Sequence, residues 1–152
     1  MGRGGQGFRR YGRLSEPQLA SPCLMPPFLD YPALAGLAAQ AATPGCLCGK
    51  KLPSPAWESL PVSFPEEQLR VVGTLRASDY DEPTFDEYHP KGTRFWSPDF
   101  PIAPNYFPYN RCDVWACTVC GQHYLRYTEG GGYFVDRRIR RLDAALLVDA
   151  PL

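Results

Sequence analysis

The sequence has no net charge and no long hydrophobic run. Its 16 basic and 16 acidic residues cancel, so the chain as a whole exerts no general attraction on nucleic acid or on an acidic membrane surface. No stretch approaches the roughly 18 consecutive apolar residues that a membrane-spanning helix requires. A charged partner would therefore have to contact a local patch, and no membrane partner is expected.

Long regular elements are also expected to be few. Seventeen Pro and fourteen Gly make up about a fifth of the 152 residues, compared with roughly an eighth in average proteins. The hydrophobic share of 44% still allows a core, so irregular chain must help to build it. The length fits one ordinary domain.

The beginning of the chain differs in composition from the rest. Residues 1–27 are rich in Gly and Arg and then in Pro, without hydrophobic periodicity, which predicts a disordered or dispensable extension. Residues 28–152 are expected to form a single metal-stapled domain. The basic opening is similar to the start of an export signal, but prolines between Pro22 and Pro32 interrupt the apolar helix that export needs. A cytoplasmic protein is the better prediction.

Four of the six cysteines form two close pairs, each followed by glycine: Cys46 with Cys48, and Cys117 with Cys120. Six cysteines would permit three disulfide bonds in a secreted protein, but such close pairs are poor long-range partners. Reduced thiols at this spacing are typical metal ligands, and four thiolates select zinc or iron. Because four protein ligands leave no position for a catalytic water, the sequence predicts structural Zn²⁺ in a protein that is not an enzyme.

The local geometry of the two pairs can also be predicted. In extended chain, residues i and i+2 project to the same side, so both thiols of the first pair could reach one ion. Gly49 and Gly121 are expected to supply the positive φ that thiolate knuckles need. His123 is the best substitute ligand. Cys112 is a weaker candidate, because its odd separation from Cys117 places it on the opposite face of one strand.

The Cys117–Gly121 motif, with an aromatic strand after it and a distant thiol pair before it, resembles the knuckles of zinc ribbons and, more distantly, of rubredoxins. The likeness covers Cys46–Lys50 and Trp115–Tyr127. It implies a small antiparallel sheet or hairpin around one tetrahedral zinc, with iron as the alternative metal. Knuckles in those families are usually C-x-x-C, whereas the first pair here is C-x-C.

Short helices are predicted in the first half of the chain. Asp30 is a suitable N-cap for a helix that extends to Ala42 and is stopped by Pro44 and Gly45. The acidic segment Pro65–Glu67 indicates one helical turn, which leads into a strand over 70–77.

The second half indicates an antiparallel hairpin, which makes the expected fold class α+β. Residues 114–116 enter the knuckle and residues 123–128 leave it, and the glycine-rich turn at 129–132 returns the chain into a strand over 133–136. After this strand, residues 137–142 do not alternate clearly between apolar and polar side chains. Since Val135, Ile139 and Leu142 match one helical face, we expect the strand to pass into a helical turn.

The segment Asp79–Arg111, called here the Pro/aromatic loop, combines six prolines with nine aromatic residues. The prolines exclude regular structure, but the rings carry too much apolar area to stay solvated, which predicts an ordered loop. Five carboxylates lie between Asp79 and Glu87 and match no calcium-binding spacing. The residues expected to contact a partner, which would have a basic surface, are Asp81, Glu82, Asp86, Glu87 and Trp96.

Three classes of function fit these features. The preferred one is a non-catalytic binding or adaptor protein, for example a bacterial immunity protein, whose metal only stabilises the fold. The second is a nucleic-acid-binding zinc ribbon that uses the basic run 137–141 with Tyr124 and Tyr127. The third is a rubredoxin-like electron carrier.

Deletion of residues 1–24 tests the predicted extension. A chain that begins at Met25 should remain soluble and keep its melting temperature, because the deleted residues can bury little apolar surface to offset the entropy of ordering them. Thermal unfolding followed by circular dichroism measures this. A drop of the melting temperature by more than a few degrees would show that the segment packs on the domain.

Overall fold

The structure is a computed structural model that describes residues 25–152, and it is built on a five-stranded antiparallel sheet. The strands are β1 (Glu58–Ser59), β2 (Leu69–Thr74), β3 (Asp113–Cys117), β4 (His123–Gly130) and β5 (Val135–Arg141), in the spatial order β1-β5-β4-β3-β2. The helices are α1 (Tyr31–Ala38) and α2 (Leu47–Lys51), and 3₁₀ turns occupy Glu66–Gln68, Tyr109–Arg111 and Ala144–Leu146. The predicted α+β class is confirmed. The predicted extension, apart from residues 25–27, lies outside the described residues.

Helix α1 begins as predicted but ends earlier. The Asp30 side chain accepts a hydrogen bond from the Ala33 backbone N–H at 2.9 Å, which is the N-cap arrangement. The predicted end at Ala42 is wrong, since the helix stops at Ala38. Beyond the helix, the Thr43 N–H donates to the carbonyl of Cys120 at 3.0 Å, which ties this segment to the cysteine knuckle. Neither helix has the length or apolar character needed to span a membrane.

The turn and strand predicted between residues 65 and 77 are present as a 3₁₀ turn and β2. The hairpin of β4 and β5 is also present. Its paired residues run from Tyr124 opposite Arg141 to Gly130 opposite Val135. Its glycine-rich end exposes Tyr133 and Phe134.

The helical turn predicted over 137–142 is wrong, because β5 continues as a strand to Arg141. Every residue of β5 pairs with β4, and β1 pairs with Ile139 and Arg138 on the other side. The alternation of buried and exposed positions along β5 is not visible in the sequence, because one face of the strand carries Arg138 and Arg140. Both side chains are largely buried instead of solvated. A basic residue at an inward position gives no hydrophobic signal.

One face of the sheet packs against α1 and the Pro/aromatic loop. This first core consists of Leu34, Trp57, Leu75, Phe100, Ile102, Tyr109, Cys112, Val114, Leu125, Tyr127 and Leu142. Trp57 belongs to this core, and the centroid of its ring lies 5.2 Å from that of Tyr127. The loop is therefore ordered on the domain, as predicted.

The opposite face packs against α2 and the segment that follows it. This second core consists of Cys48, Leu52, Leu60, Phe64, Leu69, Cys117, Cys120, Tyr124 and Ile139. Three of its members are cysteines of the two close pairs, so the thiols lie inside a packed layer.

Arg140 fixes the first core from within. Its side chain is 1% exposed and donates hydrogen bonds to the carbonyls of Pro55 and Pro98 and to the hydroxyl of Tyr109. No carboxylate within residues 25–152 forms an ion pair with it. The buried guanidinium thus joins β5, the connector before β1 and the Pro/aromatic loop through neutral acceptors.

Substitution of this arginine tests its role. Arg140→Met keeps the side-chain length but leaves three acceptors without a donor, so the free energy of unfolding should fall by about 3 kcal/mol. Urea denaturation measures the change. Arg137→Met is the control, because Arg137 is more than half exposed and its ion pair with Glu66 should contribute about 1 kcal/mol or less. Equal urea midpoints for the two variants would contradict the assignment.

Candidate metal centre

The sulfur atoms of Cys46, Cys48, Cys117 and Cys120 lie within 4.8 Å of one another. Cys46 Sγ is 3.8 Å from Cys117 Sγ, and Cys48 Sγ is 3.4 Å from Cys120 Sγ. All four thiols are free, because a disulfide would bring two sulfurs to about 2.05 Å. The fold therefore gathers the two sequence-distant pairs into one four-thiol cluster.

The first pair reaches the cluster through a helical turn, and the extended C-x-C predicted from the sequence is wrong. Cys46 is the N-cap of α2, with φ −68° and ψ 148°, while Cys48 lies within the helix. Gly49 is also helical and does not have the predicted positive φ. Because the backbone turns between the two cysteines, their side chains converge without forming a strand.

The second pair forms the predicted knuckle between β3 and β4. Cys117 ends β3, its N–H donates to the Gln122 carbonyl at 2.8 Å, and its carbonyl accepts from the Gly121 N–H at 2.9 Å. Gly121 has φ 79°, which an L-residue with a side chain adopts only with strain. The prediction for this glycine is confirmed.

The cluster contains donors that favour thiolate. Burial raises the pKa of Cys117, but hydrogen bonds from the Gln68 side chain and from two knuckle backbone N–H groups outweigh burial and lower it to about 6. At Cys48, burial dominates and raises the pKa. A bound cation would stabilise all four thiolates and release the remaining protons.

The other predicted ligands lie elsewhere. Cys112 is fully buried in the first core, and its thiol donates to the Pro108 carbonyl at 3.3 Å. His123 is buried outside the four-thiol cluster, and burial, with a smaller effect of Arg70, lowers its pKa. Among the described residues, the group of converging ligand atoms does not include His123.

The separation of the sulfurs suits a tetrahedral ion. With metal–sulfur bonds of about 2.3 Å, the four sulfurs of a tetrahedral site are about 3.8 Å apart. The observed 3.8 and 3.4 Å contacts are close to that spacing. The cluster is therefore compatible with a structural metal site.

No protein-family model matches this chain, and neither a curated protein nor a solved structure is significantly similar to it. Its function therefore has to be argued from the cluster and from the surface.

The predicted contact residues lie on the surface of the Pro/aromatic loop. Asp81, Glu82 and Asp86 are exposed. Glu87 forms a 2.9 Å contact with His89 Nε2. Trp96, predicted with them, is 53% exposed.

The basic run 137–141, with Tyr124 and Tyr127, is only partly exposed. Arg140 is buried in the first core, and Arg138 contacts Glu129 and Asp136. Tyr124 and Tyr127 are 1% and 7% exposed, so neither ring is available to stack on a base.

Gln68 is a residue of the centre that the sequence did not reveal. Its carboxamide nitrogen lies 3.5 Å from Cys46 Sγ and 3.4 Å from Cys117 Sγ. A glutamine that follows two glutamates is typical of a solvated helical turn. No spacing rule connects this residue with either thiol pair. Only the tertiary structure brings it to the sulfurs.

Proposed function

We propose that this protein is a small non-catalytic binding protein whose four-thiol cluster holds one structural zinc ion. The observation that carries the proposal is the convergence of four sulfurs within 4.8 Å in a packed layer of the domain. Four thiolates complete a tetrahedral shell, so the ion would have no position for a substrate or a catalytic water. Iron is the alternative occupant, and a red protein would indicate the electron-carrier function.

The proposed zinc ties α2 to the β3–β4 knuckle. A helix of five residues is not stable by itself in water, and the segment that follows it contains only the two-residue strand β1. Structural zinc supplies apparent binding free energies of about 10–16 kcal/mol, which is comparable to the whole stability of a typical domain. Loss of the ion should therefore unfold much of the protein.

Metal analysis and one substitution test this role. The purified full chain should contain one zinc per molecule, and a strong chelator should abolish its cooperative thermal transition. Cys117→Ser should have the same effect without chelator, because it removes one ligand from a shell that needs four. Cys112→Ser is the control for metal content, since Cys112 lies in the other core. Wild-type protein that melts identically with and without chelator would contradict the proposal.

We further propose that the acidic part of the Pro/aromatic loop contacts a protein partner with a basic surface. Asp79, Asp81, Glu82 and Asp86 have no ion-pair partner within residues 25–152. Exposed carboxylates without partners repel one another and do not stabilise the fold, but they accelerate association with a basic surface.

The backbone is fixed over residues 83–86, at the end of this acidic part. Asn110 Nδ2 donates to the Thr84 carbonyl at 2.8 Å, and Arg111 Nη2 donates to the Pro83 carbonyl at 2.9 Å. The Asp86 carbonyl accepts from the Phe107 N–H at 2.8 Å. A segment held in this way loses little entropy on binding, which favours a recognition surface.

Charge reversal tests this surface. The triple variant Asp81→Lys, Glu82→Lys and Asp86→Lys should fold normally, because none of the three side chains forms an ion pair. Its association rate with a basic partner captured from the native host should fall at least tenfold at low salt, and the difference should shrink at high salt.

Two further variants sharpen the experiment. Glu67→Lys reverses an exposed acid outside the loop and should have little effect. Trp96→Ala should mainly raise the dissociation rate, because an exposed tryptophan contributes contact area more than steering. Unchanged association in the triple variant, with the same dependence on salt, would place the contact surface elsewhere.

A further inference from the structure

The side chain of Gln68 bridges the two halves of the four-thiol cluster. Its nitrogen lies within 3.5 Å of one sulfur from each cysteine pair, and these two sulfurs are 3.8 Å apart. A primary amide has two N–H donors, so each sulfur can accept one of them. Within residues 25–152, this is the one side-chain nitrogen that contacts a sulfur of the cluster.

The backbone of Gln68 is fixed to the knuckle. Its carbonyl accepts hydrogen bonds from the N–H of Thr118 at 2.8 Å and from the Thr118 hydroxyl at 3.0 Å. Its own N–H donates to the Pro65 carbonyl at 3.0 Å, which closes the 3₁₀ turn before β2. The carboxamide is thus presented to the sulfurs from a backbone with little freedom.

These contacts matter because an all-thiolate centre accumulates negative charge. Four thiolates around one divalent ion leave a net charge of −2, and each N–H···S bond disperses part of it. At Cys120 the donor is the backbone N–H of Gln122, at 3.4 Å, which no substitution except proline removes. At Cys46 and Cys117 a side chain donates, so its contribution can be tested by substitution.

We propose that Gln68 is a positioning residue of this centre, and that its carboxamide determines how strongly the two halves retain their ion. The inference rests on the proposed zinc. Without these donors, the charge on Cys46 and Cys117 is less dispersed and the ion is transferred more easily to a competing ligand.

A cleft in the folded protein adjoins the centre. A cleft of about 400 Å³ is lined by three of the cysteines, together with Lys50 and Arg141. The two cationic side chains would attract an anionic chelator. The rate of zinc transfer to such a chelator therefore reports on the centre itself.

The test replaces the donor but keeps the volume. In zinc-loaded full-length protein, Gln68→Met should transfer zinc to a chromogenic chelator roughly ten times faster than wild type. In the cobalt-substituted protein, the sulfur-to-cobalt charge-transfer band should move to longer wavelength, because loss of the N–H donors raises the energy of the sulfur electrons. A purely structural role would not shift this band.

Gln40→Met is the matched control, because it makes the same exchange at an exposed residue. Gln40 belongs neither to the four-thiol cluster nor to the lining of the cleft. The release rate and the cobalt spectrum of this variant should match wild type. Gln68→Glu places a carboxylate beside two thiolates and should release zinc faster than Gln68→Met.

The outcomes separate this inference from the proposed function. If wild-type protein binds no zinc or iron, the proposed function fails and the premise of this inference fails with it. If wild type holds one zinc and Gln68→Met shows the same release rate and the same cobalt spectrum, the proposed function stands and the role of Gln68 is overturned.

Discussion

The contact between the two cysteine pairs joins segments about 70 residues apart in the chain. The first cysteine pair lies at the five-residue helix α2, which is followed by the two-residue strand β1. The second pair lies at the turn between β3 and β4 in the sheet. Closing a loop of this length is entropically costly, and the early region has little regular structure with which to offset the cost. The position of α2 and of the chain next to it therefore depends on the thiol cluster and on the apolar layer around it.

The opposite face of the sheet is held by a different chemistry. There a buried guanidinium, Arg140, contacts two carbonyls and a tyrosine hydroxyl. Removing a charge from water is costly, and the three hydrogen bonds to these acceptors offset that cost. Its three acceptors belong to Pro55 in the connector before β1 and to Pro98 and Tyr109 in the Pro/aromatic loop. These segments have no regular strand pairing of their own, so the hydrogen bonds to Arg140 specify how they are arranged. Apolar packing alone would tolerate several arrangements of these prolines and rings.

The sequence contained enough to predict what depends on local order. The pairing of thiols with glycine indicated the knuckle at Gly121, and Asp30 indicated the start of α1, because each signal lies within a few residues of its effect. The extended C-x-C, the positive φ of Gly49 and the helical turn after Asp136 were wrong. In each case the deciding partner is distant in the chain: Cys46 and Cys48 turn to meet the knuckle, and β5 continues because Arg138 and Arg140 find aromatic rings and acceptors in the Pro/aromatic loop. Gln68 shows the same limit, since it carries no metal-ligand signal and its relevance arises only from contact.

The charged residues are unevenly distributed along the chain. The five acids between Asp79 and Glu87 have no basic residue among them, so 11 acids and 16 basic residues occupy the rest of a chain whose net charge is zero. The molecule therefore has a negative segment and an excess of five positive charges elsewhere. Fields of this kind fade over about 8 Å at physiological salt, so the proposed partner would sense the acidic segment only at close approach. At that distance the exposed rings of Tyr80 and Phe85 are also within reach, and they can supply the contact area that charges in water do not. An acidic segment with aromatic residues, fixed to a rigid domain, can thus orient a basic partner by charge and retain it by apolar contact.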